Sequence, residues 1–184
     1  MVCAGPQVLR SVYKFQRDDM SSSPAADEEA TWRRRLAARA NNRAWTLSEQ
    51  TTRTPEEDRE MLQAAHAAMY LWSAIGTPRN TALAQLLLGQ VHALLGDARY
   101  AMSYAEAAHK YFSANAAEPW QAALSHAIFA AAAHCAGDSG LHERHYSAAL
   151  ALVATLPNAE DRAVFDATMK VVPRPRGRAS HESA

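Results

Sequence analysis

A chain of 184 residues with 48% hydrophobic content is long and apolar enough to bury a continuous core, which excludes disorder throughout. Nineteen basic residues balance nineteen acidic ones, so no whole-molecule field draws the protein to nucleic acid or to an anionic membrane. The two cysteines, Cys3 and Cys135, lie in unlike contexts and give no support to a stapling disulfide, which fits a cytoplasmic protein.

Residues 1–26 keep no sustained period and are expected to form a disordered tail. Arg10, Lys14 and Arg17 interrupt the apolar core that a secretory signal needs, and no run of 18 apolar residues occurs anywhere. The change in composition at Met20, before Ser21-Ser22-Ser23-Pro24, suggests Met20 as the physiological start.

Between residues 27 and 172 the caps and the apolar period predict seven helices. The first follows Asp27 and runs from about Glu28 to Gln50, with Asn41-Asn42 as a weak point or a polar clamp. Its Arg33, Arg34, Arg35, Arg39 and Arg43 are expected to pair with nearby acids such as Glu29 and Glu57 rather than with nucleic acid. Thr54-Pro55 with Glu57 is a complete helix start, and that second helix stops at Gly76. Thr77-Pro78 opens the third, which ends at Gly96; Asp97 caps the fourth at once. Pro119 opens the fifth, Asp138 the sixth, and Pro157-Asn158 the seventh, which reaches about Val171. Helices three and five are apolar around most of their circumference and should be sandwiched, whereas Val164, Phe165, Thr168 and Met169 make the seventh a one-sided capping helix. The closing Pro173-Arg174-Pro175-Arg176-Gly177-Arg178 run cannot be helical, so residues 173–184 are expected to be a basic, solvated tail.

Several of these signals recur 41 residues apart: Gly96-Asp97 and Gly137-Asp138, Pro78 and Pro119, Ala82 and Ala123. The same shift aligns Ala67, Ala108 and Ala149 in one column, with Leu71, Phe112 and Val153 in another. Such self-similarity marks stacked units that cannot bury their apolar faces alone. An alanine column has a steric meaning, since only a small side chain lets two helices cross closely.

The stretch Ala84 to Phe112, with Gly89, Leu95-Gly96-Asp97, Ala101 and Ala108, resembles the tetratricopeptide repeat family. The next unit keeps Ala130, Gly137-Asp138 and Ala149 but has His142 in place of an alanine. An earlier unit, about Ala37 to Thr77, replaces the Gly-Asp turn with Thr54-Pro55. The interval exceeds the family's usual ~34 residues, as in its longer-helix variant; HEAT-type repeats are the alternative. The resemblance implies an all-α, right-handed solenoid of three hairpins plus a C-terminal capping helix. It also implies a concave groove for a peptide or protein partner, lined by Leu86, Gln90, Ala93 and Leu94 of the third helix and Ala127, Ala131, His134 and Cys135 of the fifth.

No Walker loop, dinucleotide fingerprint or His-Glu-x-x-His pattern occurs, and Gly137-Asp138-Ser139-Gly140 reads as a helix connector rather than a protease motif. The chain is therefore read as a non-catalytic scaffold without a cofactor. The alternative is a metal or small-molecule site, for which His134, Asp138, His142 and His145 are the candidates because the turn at Gly137 can fold them together. His66, His92, His109 and His126 are read as partly buried core histidines. Self-association as a homodimer through an exposed apolar helix face is a third reading.

Overall fold

In a computed structural model of the chain, residues 26–156 and 159–175 are described. They form seven helices: α1 (Ala26–Ser48), α2 (Pro55–Ile75), α3 (Pro78–Leu94), α4 (Ala98–Ala114), α5 (Pro119–Cys135), α6 (Ser139–Val153) and α7 (Ala159–Met169). Among the described residues there is no strand and no helix long and apolar enough to cross a membrane. The expected tail of residues 1–26 and the start suggested at Met20 lie outside the described residues, save Ala26 in α1.

The chain divides into one unit ending at Arg33 and a second beginning at Arg34. In the first, the described residues are the opening turns of α1, where Arg33 pairs with Glu29 four residues earlier. The second holds everything that follows.

Local chemistry explains where the helices begin and end. Thr54 and Glu57 exchange side-chain and backbone hydrogen bonds at 3.2 and 2.8 Å, closing a capping box over Pro55. Thr77 and Asn80 do the same at the start of α3. At the start of α5, the Glu118 amide donates to Gln121 Oε1 at 3.2 Å. The two Gly-Asp turns are copies of each other. Gly96 and Gly137 adopt φ of 77° and 76°, a region that favours glycine. The amides of Asp97 and Asp138 return to the carbonyls of His92 and Ala133 at 2.9 and 3.0 Å, and those of Gly96 and Gly137 to Ala93 and His134. This Schellman closure satisfies the last carbonyls of one helix, and each aspartate then caps the next. Arg53 pins the α1–α2 connection by donating to Asp58 and to the Gln50 carbonyl at 2.6 and 2.7 Å.

Consecutive helices from α2 to α6 pack on one another, α3 also packs on α5, and α5 on α7. This pattern is consistent with a helical repeat. Nine of the 17 residues of α3 and 11 of the 17 of α5 are buried, against three of the 21 of α2, so α3 and α5 are the central helices. Ala44 and Leu47 of α1 join Met61, Ala65, Leu87, Leu88 and Val91 in one core cluster. A second links α3, α4 and α5 through Leu86, Ala105, Ala108, Phe112 and Ile128. Phe165 of α7 seals a third against Ala123, Ala127 and Ala149, as a capping helix should.

The alanine column is displaced by one residue. Ala108 and Ala149 are fully buried, but Ala67 faces solvent and its neighbour Ala68 occupies the crossing. The cause is the length of the connections. Ala68 to Ala82 spans 14 residues and Ala108 to Ala123 spans 15, so α2 and α4 repeat at 40 while α3 and α5 repeat at 41. Ala108→Leu should therefore overpack its crossing and cost about 1–3 kcal/mol. Ala67→Leu should stay within about 0.5 kcal/mol of the parent. Paired thermal melts check this register, and equal losses would refute it.

Candidate functional site

The implied groove residues are largely taken up by the chain itself. Leu86, Gln90 and Ala127 are buried between helices and offer no surface to a partner. Ala131 lies beneath Val172 in a cluster completed by Ala93, Tyr146 and Met169, and Leu94 packs toward the α1–α2–α3 core. His134 is exposed and Cys135 half-buried. Of the expected tail, residues 173–175 are described and 176–184 lie outside the described residues. The carbonyl of Pro173 accepts a hydrogen bond from His142 Nε2 at 2.9 Å, which ties this segment to α6.

Among the described residues open space remains at two places: a cavity of about 390 Å³ beside the α5–α6 turn, lined by His134, Gly137, His142 and Arg174, and one of about 340 Å³ nearer the start of α3 and α5. Trp45 of α1, Trp72 of α2 and Trp120 of α5 line the latter with Leu83, Leu124 and Val164. Its polar groups are Asn41, Glu49 and Asn80. Helix α1 runs unbroken through Asn41-Asn42, so Asn41 is carried to the cavity by a regular helix rather than by a break. Trp120 is held in place by its Nε1, which donates to Glu118 Oε2 at 2.8 Å, while Arg79 pairs with the other oxygen of that carboxylate. The Trp120 and Arg79 hydrogen bonds lower the Glu118 pKa. Burial raises the Glu49 carboxyl above its ordinary value, partly offset by Lys170. On the arginine-rich face of α1, Arg43 pairs with an acid of α2, though with Glu60 rather than Glu57, in a two-point contact at 2.7 Å.

The four expected metal candidates do not converge. His134 and His142 meet edge to face with ring centres 5.0 Å apart, at the Gly137 end of the α5–α6 hairpin. Asp138 is occupied as a cap, accepting from the Leu141 amide at 2.8 Å. His145 lies elsewhere, with His109 of α4 and His126 of α5. One ring nitrogen of each of these three lies within 4.8 Å of the others. His126 Nδ1 and His145 Nδ1 are 3.0 Å apart. His109 sits between two hydroxyls, Nδ1 at 3.2 Å from Ser125 Oγ and Nε2 at 3.4 Å from Ser113 Oγ. Phe129 packs on His145 with ring centres 4.0 Å apart.

Burial, reinforced by His109, brings the His126 pKa down to about 4. Burial also brings His145 down to about 4, with His126, His109 and Arg144 adding repulsion. His109 is lowered by burial alone. All three rings are thus neutral near pH 7. From spacing alone, His109 and His126 read as partly buried core histidines. A signal was present: His126 stands 11 residues before Gly137 and His145 eight after it, comparable distances along two antiparallel helices. The third member required the lateral packing of α4 on α5.

His92 also behaves as a core residue. It is 6% exposed, stacks near Tyr104 and places Nδ1 3.3 Å from Asp97; burial lowers its pKa against the opposing pull of that carboxylate. Burial pushes the Cys135 thiol up, with Asp97 adding to the shift, which disfavours the reactive thiolate. No protein-family model, curated protein or solved structure matches the chain.

Proposed function

We propose that the protein is a non-catalytic interaction module, a right-handed solenoid of the tetratricopeptide kind that takes an apolar side chain of a peptide or protein segment into its tryptophan-lined cavity. The cavity carries this reading. Its volume of about 340 Å³ lies at the lower end of the ~300–1,000 Å³ typical of ligand sites, which suits one or two large side chains better than a bulky cofactor. Three aromatic walls supply the desolvated contact area on which recognition of an anchoring side chain depends. Asn41 and Asn80 add polar groups near a partner's backbone. Every repeat unit contributes to the lining, as expected for a groove built by stacking.

Three of the four tryptophans line the cavity, so their fluorescence reports on its occupancy. Val164 is 48% exposed on α7, and Val164→Asp should leave the core packed while placing a charge at the cavity wall. Titration of the intact chain with a panel of short apolar helical peptides should shift the tryptophan emission. Val164→Asp should weaken that response about tenfold. Equal responses from the two proteins, or none from the parent across the panel, would refute the reading.

A further inference from the structure

We propose that His109, His126 and His145 form a site for one divalent transition-metal ion of the zinc class. The site shares no residue with the tryptophan-lined cavity and stands independently of it. The three side chains come from three helices, α4, α5 and α6, packed side by side. Tetrahedral zinc with bonds of about 2.0–2.1 Å places its nitrogen ligands about 3.3 Å apart. The His126–His145 nitrogens are already 3.0 Å apart, and the full set spans at most 4.8 Å. Reaching that spacing requires ring nitrogens to close by at most about 1.5 Å.

The metal-free arrangement is satisfied in only one pairing of tautomers, a restriction that an ion lifts. Two Nδ1 atoms facing each other at 3.0 Å repel through their lone pairs unless one keeps a proton for the other to accept. A cation between them uses both lone pairs. His109 is prepared from either side, because whichever nitrogen turns to the ion, a serine hydroxyl remains beside the other. Such outer partners fix ring orientation in known sites. Three imidazoles without a carboxylate or thiolate select zinc, cobalt, nickel or copper and reject magnesium and calcium. The rings are half-buried rather than sealed, so an ion can enter from solvent, and three protein ligands leave the fourth position to water. Arg144 opposes the cation by its charge, and its exposure on α6 lets solvent screen much of that effect.

The test uses the full, untagged chain after chelator treatment, with Zn²⁺ followed by calorimetry, Co²⁺ by its visible absorption, and Mg²⁺ as the control. One equivalent of Zn²⁺ should bind and raise the melting temperature, Co²⁺ should develop ligand-field bands, and Mg²⁺ should do neither. The double variant His126→Gln with His145→Gln should lose affinity by about 100-fold or more. His134→Gln with His142→Gln should retain it. Absence of Zn²⁺ binding, its survival in the first double variant or its loss in the second would overturn the proposal. If the first variant fails to fold, X-ray absorption of the zinc-loaded parent decides: three imidazoles in the inner shell support the site, and fewer overturn it.

Discussion

Replacing Gly89 with leucine is expected to lower stability by about 3 kcal/mol or more. Gly89 lies in the middle of α3, where a Cβ would meet Ile128 Cγ2 at 3.2 Å, the Ala105 amide nitrogen at 3.3 Å and its Cα at 3.5 Å. Two of those three atoms are backbone, so rotation of a side chain cannot make room. The helices must separate, and Leu86, Ala105 and Ile128, which fill the joint core of α3, α4 and α5, would lose contact together. Gly89→Ala is the finer probe. Its gain in helix propensity, about 1 kcal/mol, opposes the crowding, so its stability should stay within about 1 kcal/mol of the parent. Urea denaturation of the three proteins checks the ranking; a Gly89→Leu midpoint equal to the parent's would show that the crossing is not close.

Acid should weaken the metal-free protein well before its carboxylates are titrated out. His126 and His145 are held down to about 4 chiefly by burial, with repulsion from His109 added at His126 and from His126, His109 and Arg144 at His145, whereas in the unfolded chain they titrate near 6.5. Between those values the unfolded state binds protons that the folded state refuses, so the stability that depends on these two rings is lost as pH drops from about 6.5 to about 4, and their contribution is constant below. At roughly 1.4 kcal/mol per pKa unit the upper bound is about 3.5 kcal/mol per ring, which solvent screening of these half-buried groups reduces to on the order of 2 kcal/mol. His92, His109 and His142, all lowered chiefly by burial, act in the same direction. Glu49, raised by burial, opposes them. Denaturation midpoints measured with chelator at pH 7.5 and 4.5 should differ accordingly, and His126→Gln with His145→Gln should flatten the difference. A parent whose midpoint does not change over this range would refute the buried neutral pair.

The helices were legible in the sequence because their signals are local. Thr54-Pro55-Glu56-Glu57 and the two Gly-Asp turns carry their hydrogen-bond partners within a few residues, so reading the residues amounts to reading the caps. The sandwiched character of α3 and α5 was equally plain, since leucine or alanine on every side leaves no face for water. Lateral register was harder. A constant shift of 41 put Ala67 where Ala68 belongs, because repeat length depends on connections whose small differences leave no mark on the apolar pattern. The groove residues were carried over by resemblance, which did not account for Val172 and Pro173 folding back over Ala131 and His142. The histidine trio depends on three helices meeting at one height, a relation of packing rather than of spacing.

The Gly96 and Gly137 closures have a mechanical consequence. With both ends of each turn hydrogen-bonded and an aspartate starting the next helix at once, α3–α4 and α5–α6 have no slack and should tilt as rigid blocks. Any breathing is then confined to the joints between blocks, such as Asn115–Glu118. The tryptophan cavity draws its walls from α1, α2, α3, α5 and α7, so its width would follow the angle at those joints, and an occupant that wedges it open at one side would be felt along the whole stack.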